Sequence, residues 1–422
     1  MVKVSVIIPV YNEIRFIQKT LESVVGDADE IILSDNASTD GSSDICQSFA
    51  NKYPEIKYTR HKENMGGLKN FGFCVSQISG RYVRNIGAHD MISIGSNQSM
   101  ALLLDKYTDV AMVYPKYVIG LKQDYSFEYF HTYEEFGNDL LSDSAMIRVK
   151  SMISNLREFS LYYGLWRAEI FKNIISPRIY TQICTDHIAL SATAAKGKMF
   201  PDDRSVFFRI RPRIDCEDIR KRWVNMMSLP SNTNLCFWNF AVIAEQYDLA
   251  LEMFKENPEF CQEILNILLA KNSHIFSDSE LTLENMPPII PQKQEFCQNV
   301  MNLIKEYVET QKEKKEQKEK MQKAVQKIML ETDKKIYLFG AGKTSHDIIN
   351  TLPKVCWSAF IENNVSKIGM RDILPIISFS EFIKKSENTI VCITSPLYGD
   401  EMKQQLINSG FQEDSIIDYY KL

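Results

Sequence analysis

The sequence has no pattern of paired cysteines. Its nine cysteines are an odd number, and no two of them have the spacing of a Cys-x-x-Cys motif. Both facts count against a disulfide framework and against a cysteine-rich zinc module. We therefore expect free thiols and a reducing, cytoplasmic compartment.

The sequence also lacks a long apolar run. No stretch approaches the roughly 20 apolar residues that a helix needs to span a bilayer. The first apolar run, from Val4 to Val10, contains Pro9 and is followed at once by Asn12 and Glu13, which is not the form of a signal peptide. These absences predict a soluble protein that reaches any lipid-linked substrate from the membrane surface.

A strong charge of one sign is missing as well. The 49 basic and 54 acidic side chains give a net charge of −5, so no general attraction to nucleic acid is expected. The chain has 422 residues, of which 45% are apolar and 24% charged. This composition excludes a wholly disordered chain, and the length predicts two to three domains of about 150 residues.

What is present in the first 115 residues is a regular alternation of strand and helix patterns. Strands are predicted at 4–10, 30–34, 56–60, 82–86 and 110–114, and helices at 14–25, from about 39, and at 68–78. Such alternation is typical of parallel β-α-β units. Ligands bind at the carboxyl ends of the strands in such sheets, so chemistry is expected in the loops after Val10, Ser34 and Ile86.

The rest of the chain changes pattern twice. Helices are predicted at 237–254, 259–270 and 294–309, and the charged run 312–323 indicates a solvated helix or linker rather than a nucleic-acid arm. From Lys335 a second β-α pattern begins, with strands near 336–339, 356–361, 389–394 and 415–418. We predict an α/β fold with three regions: a β-α domain at 1–215, a helical spacer at 216–330 and a small α/β domain at 331–422.

Three polar loops follow the predicted strands. The segment 4–13 ends in Pro-Val-Tyr-Asn-Glu, 35–41 reads Asp-Asn-Ala-Ser-Thr-Asp-Gly, and 64–67 reads Asn-Met-Gly-Gly. This ordered set resembles the start of a family 2 glycosyltransferase with the GT-A fold, and the resemblance covers about residues 1–215. It implies inverting transfer of a sugar from a nucleotide donor, usually a UDP-sugar, helped by Mn²⁺ or Mg²⁺.

The resemblance also implies where the donor binds. Asp35 matches the carboxylate that holds the nucleobase, and Pro9, Tyr11 and Glu13 match the nucleotide-binding loop. Residues of the third loop and the start of the following helix complete the expected donor site: Asn64, Gly66 and Lys69. Glycine at this place lets the backbone approach a ligand closely.

The metal-binding loop departs from the family pattern. Family members usually end the fourth strand with Asp-x-Asp, and alignment from Gly80 places Gly87 and His89 at the two aspartates, with Asp90 retained. A neutral imidazole can bind Mn²⁺, so His89 and Asp90 are the expected metal ligands, with Mn²⁺ favoured over Mg²⁺. The alternative is that His89 only packs or contacts phosphate and that metal is dispensable.

The expected catalytic base lies about 95 residues after this loop. Family members carry Glu-Asp at the head of a helix, and here Thr185 replaces the glutamate while Asp186 remains. Inversion requires a base to deprotonate the acceptor hydroxyl, and one carboxylate suffices. An aspartate at a helix start is also a common cap, so a purely structural role stays open for Asp186.

Two further groups of residues are expected near the acceptor or the diphosphate. Trp166 and Arg167 resemble the segment beside the family's acceptor, although both could equally belong to the core. A basic cluster could meet diphosphate or an anionic membrane surface, or form a solvated rim; it comprises Arg204, Arg209, Arg211, Arg213, Arg220, Lys221 and Arg222.

The C-terminal domain carries a glycine loop of its own. Gly340, Gly342 and Ser345 follow a predicted strand and open a helix, and Glu362 lies at the end of the next strand. This is the layout of a dinucleotide fingerprint with serine in place of the last glycine. Because about 90 residues make only part of a dinucleotide fold, an accessory, Rossmann-like domain for assembly or nucleotide sensing is favoured over redox catalysis.

Four classes of protein therefore compete. The first is a glycosyltransferase of bacterial surface polysaccharide synthesis, such as capsule synthesis, with a saccharide or lipid-linked saccharide as acceptor. A nucleotidyltransferase is disfavoured because no Gly-rich, basic loop follows the first strand. A nucleotide-sugar oxidoreductase rests on the Gly340 loop alone, and Gly87 suggests a catalytically inactive binder. A homo-oligomer and peripheral contact with the inner face of the cytoplasmic membrane are also expected; nucleic acid is not.

Overall fold

The structure is a computed structural model. It describes residues 3–121, 127–131, 134–157, 159–175, 185–211, 236–272, 293–340, 343–352, 354–363, 374–385, 387–395 and 397–421. The chain divides into two compact units, Met1–Val308 and Glu309–Leu422.

The first unit is built on a nine-stranded mixed sheet. Its strands run in the order β3-β2-β1-β4-β8-β6-β9-β5, with β7 paired to β6. They are β1 (Val4–Val10), β2 (Glu30–Asp35), β3 (Ile56–Arg60), β4 (Tyr82–Asn85), β5 (Met91–Ile92), β6 (Val110–Leu121), β7 (Phe127–His131), β8 (Leu165–Arg167) and β9 (Lys198–Arg211). Strands β1 to β4 are parallel, whereas β8 runs antiparallel to both of its neighbours.

Helices cover this sheet, which accounts for the burial of its central strands. In β1 every residue except Pro9 is buried, as expected for a strand of a parallel sheet covered on both faces. The helices are α1 (Ile17–Val24), α2 (Ser42–Lys52), α3 (Gly67–Ser76), α4 (Ser96–Lys106), α5 (Ala145–Asn155), α6 (Ala168–Ile175) and α7 (Thr185–Lys196). The parallel pairing brings the carboxyl ends of β1, β2 and β4 to one edge, where the predicted ligand loops follow.

Helices beyond residue 235 belong to the core of the first unit. They are α8 (Cys236–Met253), α9 (Pro258–Asn272) and the first part of α10 (Gln294–Glu331). Phe240, Ile264 and Val300 lie in the same hydrophobic cluster as the sheet. The Lys271 Nζ donates to the carbonyl oxygens of Ile153 and Leu156, both at 2.9 Å, and so caps the end of α5. The predicted limits of the three sequence regions stay a prediction.

The second unit contains a five-stranded parallel sheet in the order β12-β11-β10-β13-β14. Its elements are β10 (Lys335–Phe339), α11 (Lys343–Thr351), β11 (Trp357–Glu362), β12 (Ile376–Ser378), α12 (Phe379–Ile383), β13 (Thr389–Ile393), α13 (Gly399–Asn408) and β14 (Ile416–Asp418). Successive strands lead away from β10 on both sides, so the strand order reverses between β10 and β13. The two sheets confirm the predicted α/β fold class.

Within the described ranges, no helix combines the length and the apolar character that a bilayer crossing requires.

Candidate functional site

The loops after β1 and β2 are joined by reciprocal hydrogen bonds. The backbone N–H of Asn12 donates to Ser38 Oγ at 3.0 Å, and the N–H of Thr39 donates to Asn12 Oδ1 at 2.8 Å. Asn12 and Ala37 have positive φ angles of 53° and 61°, a backbone conformation that few residues other than glycine adopt at low cost. The two loops therefore form one rigid rim at the carboxyl edge of the sheet.

Asp35, the predicted nucleobase ligand, is fully buried at the end of β2. Its carboxylate accepts hydrogen bonds from Ser38 N at 2.9 Å, Ser43 Oγ at 2.5 Å and Tyr58 OH at 3.1 Å. Burial acts to raise the pKa of Asp35, but hydrogen bonds led by those from Ser38 and Ser43 outweigh it and hold that pKa below its ordinary value. The carboxylate is thus ionised and anchors its own loop, and its contact with a nucleobase stays a prediction.

The third predicted donor loop is attached to the second through asparagine side chains. Asn36 Nδ2 donates to Asn64 Oδ1 at 2.7 Å, and Asn36 Oδ1 accepts from Met65 N at 2.9 Å. Gly66 has a φ of 89°, which favours glycine, and its N–H donates to Asn64 Oδ1 at 2.9 Å. Asn64 and Gly66 are therefore held at the same edge as the first two loops.

The other predicted donor residues differ in exposure. Tyr11 is 46% exposed, Lys69 is exposed, and Pro9 is partly buried in β1 beside Ser34. Tyr11 and Lys69 are accessible to a ligand, whereas Pro9 is mainly a structural part of strand β1. The donor role of all these residues stays a prediction.

The metal-binding loop follows β4 and meets the loop after β1. His89 Nδ1 lies 2.9 Å from Glu13 Oε1, and His89 Nε2 lies 4.0 Å from Asp90 Oδ1. Asp90 is buried, and its Oδ1 accepts a hydrogen bond from Ile210 N at 2.8 Å. Burial raises the pKa of Asp90, while the nearby His89 acts in the opposite direction. The structure thus brings together three residues from both sequence segments: Glu13, His89 and Asp90.

Gly87 lies close to both predicted metal ligands. A Cβ atom at residue 87 would lie 2.5 Å from Asp90 Oδ2 and 3.6 Å from His89 Nε2. A carboxylate oxygen and an imidazole nitrogen thus both lie near Gly87, and both atom types bind Mn²⁺. The described residues contain no cluster of three or more His, Cys, Asp or Glu side chains able to hold an ion alone. The pair fits an ion that also takes ligands from a substrate diphosphate.

Asp186, the predicted base, is the second residue of α7 and is half-buried. Its Oδ1 accepts from the N–H of His187 at 2.9 Å. Desolvation by burial raises the pKa of Asp186 to about 6, despite that backbone hydrogen bond. The pKa of Tyr162 is raised first by burial and next by the charge of Asp186. Because Tyr162 precedes β8, the Asp186 carboxylate lies near that segment. A capping role and a catalytic role are both compatible with this position.

The structure gives Trp166 and Arg167 packing contacts. Trp166 is fully buried and donates from Nε1 to the carbonyl of Tyr162 at 3.1 Å. Arg167 donates to the carbonyl oxygens of Leu104, Tyr107 and Val110 at 2.7–2.8 Å, which ties β8 to the end of α4. The predicted role of both residues in acceptor binding gains no support from these contacts and stays a prediction.

The predicted basic cluster separates into residues with different surroundings. Arg204 is exposed and lies 3.4 Å from Asp202. Arg209 lies over the Tyr163 ring at 5.8 Å and donates to Ser160 Oγ at 3.4 Å, and its charge acts on Asp90. Arg209 thus lies beside the metal-binding loop. The remaining members fall outside the described side chains: Arg211, Arg213, Arg220, Lys221 and Arg222.

One buried cation was missed in the sequence. Arg84 in β4 is fully buried, and its Nε donates to the carbonyl of Tyr163 at 2.7 Å. Its Nη1 donates to Ser96 Oγ at 2.8 Å and to Asn97 Oδ1 at 3.1 Å. Burial lowers the pKa of Arg84 to about 9, against the charge of Asp27. The signal available was an arginine within a strand predicted to be buried, which is rare unless the charge is paired.

In the second unit the glycine loop follows β10. Gly340 has a φ of 106°, and a Cβ atom there would lie 3.1 Å from Thr394 Oγ1. Ser345 Oγ bonds the carbonyl of Gly340 and lies 2.7 Å from Thr394 Oγ1. Glu362 is buried at the end of β11, and Gly342 lies outside the described residues. Nucleotide binding by this loop stays a prediction.

Part of the first unit is similar to known sugar-transfer enzymes. Residues 5–161 match the model of the family described as Glycosyl transferase family 2. The abequosyltransferase RfbV of Salmonella typhimurium is 32% identical over 113 residues, which are 25% of this chain and 34% of that protein. The minor teichoic acid biosynthesis protein GgaB of Bacillus subtilis is 28% identical over 110 residues, 24% of this chain and 12% of that protein. The chain thus spans about a third or less of the length of these curated relatives.

Among solved structures, the S. aureus protein TarS (residues 1–349, in complex with UDP-GlcNAc) is 17% identical. The match covers 72% of this chain and 84% of that chain, with a TM-score of 0.48.

Proposed function

We propose that this chain, whose residues 5–161 belong to glycosyl transferase family 2, is an inverting glycosyltransferase that moves a sugar from a UDP-sugar to a saccharide acceptor. The observation that carries the proposal is the convergence of three polar loops at the carboxyl edge of the parallel strands, with His89 and Asp90 close to Gly87. The names of the relatives, an abequosyltransferase and a teichoic acid biosynthesis protein, favour a bacterial surface polysaccharide as the product.

The donor lies, in this proposal, across the joined loops. Tyr11, in the first loop, and Lys69, after the third, are exposed, and Asp35 and Asn64 keep the loops in place. The backbone of Gly66 permits close approach of the nucleotide. Arg209 adds a fixed positive charge beside Asp90, where the diphosphate of the donor would lie.

His89 and Asp90 would hold the metal ion, with Mn²⁺ favoured because one ligand is an imidazole. When bound, such an ion neutralises the charge that develops on the leaving diphosphate. With His89 and Asp90 as its protein ligands, the ion would also need phosphate oxygens of the donor, so metal and donor binding should depend on each other.

Asp186 is the proposed base. With a pKa of about 6, its carboxyl is largely ionised at neutral pH and still basic enough to accept the proton of an acceptor hydroxyl. The hydroxyl oxygen forms the new glycosidic bond as the bond to the UDP leaving group breaks on the opposite face of the sugar. The proton passes to Asp186 and the electron pair to the diphosphate.

Donor turnover tests the proposal most directly. The full chain is incubated with a panel of UDP-sugars and Mn²⁺, without acceptor, and UDP release is measured. We expect slow hydrolysis of one donor above the rate of a His89→Ala, Asp90→Ala control. Binding of a UDP-sugar without release of UDP from any donor, even with candidate saccharide acceptors, would instead identify an inactive sugar-nucleotide binder.

The second unit enters the proposal as an accessory domain. Its parallel sheet and the Gly340 loop resemble part of a Rossmann fold, and a redox role would require binding of a nicotinamide dinucleotide. Calorimetric titration of NAD⁺ into the full chain is expected to give no saturable heat. Micromolar NAD⁺ binding would favour the oxidoreductase alternative. Homo-oligomerisation and peripheral membrane contact stay predictions.

A further inference from the structure

Glu13 and His89 form a side-chain pair that links two loops 76 residues apart in sequence. Glu13 Oε1 lies 2.9 Å from His89 Nδ1, and only 13% and 22% of the two side chains are exposed. The backbone of Glu13 is fixed as well. Its N–H donates to Ser42 Oγ at 2.8 Å, and its carbonyl accepts from the N–H groups of Phe16 and Ile17, both at 2.9 Å. The carboxylate is thus presented to His89 from a rigid support.

This pairing determines which imidazole nitrogen is available. A carboxylate only accepts hydrogen bonds, so the hydrogen of a neutral imidazole is assigned to Nδ1. Nε2 then carries the lone pair. Nε2 is also the ring nitrogen that lies close to Gly87, 3.6 Å from the position that a Cβ atom would take at that residue. Histidines that bind metals characteristically donate their other ring N–H to a carboxylate in this way.

We propose that Glu13 is a positioning residue for His89 rather than a ligand of the nucleotide. It holds the imidazole with Nε2 toward Asp90 and thereby makes the loop selective for Mn²⁺ or a similar transition ion over Mg²⁺. This inference rests on the proposed function, because it requires a metal ion at His89 and Asp90. Gly87 is part of the same arrangement, since a side chain there would occupy the place of the Asp90 carboxylate.

The test compares Glu13→Ala in two backgrounds, with the full chain and Mn²⁺ binding as readout. Calorimetry in the presence of UDP measures Mn²⁺ affinity, and calorimetry of UDP in chelator measures metal-free nucleotide affinity. In the native background we expect Glu13→Ala to weaken Mn²⁺ binding by about 10–100-fold and to leave metal-free UDP affinity unchanged. Glu13→Gln, whose amide oxygen still accepts from Nδ1, should retain most of the Mn²⁺ affinity.

The second background is His89→Asp, which removes the imidazole that Glu13 orients. There Glu13→Ala should cost no Mn²⁺ affinity, and the ratio of Mn²⁺ to Mg²⁺ affinity should fall relative to the native chain. Thermal melting of each variant identifies any loss of folding.

Three results would overturn the inference. Weaker metal-free UDP binding in Glu13→Ala with unchanged Mn²⁺ affinity would make Glu13 a nucleotide ligand. An equal loss of Mn²⁺ affinity in both backgrounds would make its role generally structural. Equal Mn²⁺ affinity in the native chain and in His89→Ala would remove the metal site of the proposed function itself, and the inference with it.

Discussion

The sheets of the two units each have a glycine in a loop that follows a parallel strand, but the absence of its side chain has a different effect in each. At Gly87 in the first unit, a Cβ atom would lie 2.5 Å from the Asp90 carboxylate. At Gly340 in the second unit, a Cβ atom would lie 3.1 Å from the hydroxyl of Thr394, and φ is 106°. The first glycine therefore makes room for the Asp90 carboxylate, and the second permits a backbone turn at positive φ. The same residue type thus serves side-chain packing in one unit and backbone conformation in the other.

The largest effect is expected at Asp186, the proposed base. Asp186→Asn should reduce sugar transfer by about 10²–10⁴-fold, because the amide cannot accept the acceptor proton. UDP affinity should stay within about two-fold of the native value, since the change is isosteric. A coupled assay of UDP release measures the transfer rate, and calorimetry measures the UDP affinity. Near-native turnover would show that Asp186 acts only as a helix cap.

Gly87→Ala should have the next largest effect. The added methyl would displace the Asp90 carboxylate, so we expect Mn²⁺ affinity and Mn²⁺-supported transfer to fall by about 10–100-fold, as for loss of a metal-site support. Ala88→Gly changes the neighbouring residue without adding an atom and serves as the control. Native Mn²⁺ affinity in Gly87→Ala would show that Mn²⁺ binding does not depend on the position of the Asp90 carboxylate.

The pH dependence of transfer should show one acidic limb. Asp186, with its pKa of about 6, accepts a proton only when ionised. The value of kcat/KM should therefore rise about ten-fold per pH unit below pH 6 and level off above it. The limb should vanish in the residual activity of Asp186→Asn, and a profile flat down to pH 5 would contradict the assignment.

The smallest effect is expected in the second unit. Gly340→Ala forces alanine into the positive-φ region, which costs about 1 kcal/mol or more of folding free energy. Thermal melting followed by circular dichroism should show a lower transition for this unit. An unchanged transition would mean that the loop accepts alanine and that Gly340 has no conformational role.

Parallel strands of both sheets were predictable because their signal is local. Val4–Val10 and Ile56–Arg60 have the predicted limits, and the second sheet begins within one residue of its predicted start at 336. The short strands β5 and β8 were not predicted. They hold two and three residues, and their existence depends on pairing with distant partners rather than on their own sequence.

The site was predictable in its loops but not in its contacts. Motif spacing indicated Asp35, His89 and Asp186, yet nothing local relates Glu13 to His89 across 76 residues. Trp166 illustrates the reverse case, because an aromatic residue near a sugar site has the same sequence signature as one in the core. Only its complete burial distinguishes the two.

Arg84 has a consequence for the exchange of segments between related enzymes. Its guanidinium joins β4, which leads into the metal-binding loop, to Tyr163 in front of β8 and to Ser96 and Asn97 at the start of α4. A chimera that imports residues 150–200 from a relative must present a carbonyl where that of Tyr163 lies. Otherwise the buried guanidinium keeps only its bonds to Ser96 and Asn97, at a cost of about 1.5–3 kcal/mol. Strand β4 and the segment before β8 should therefore be exchanged together.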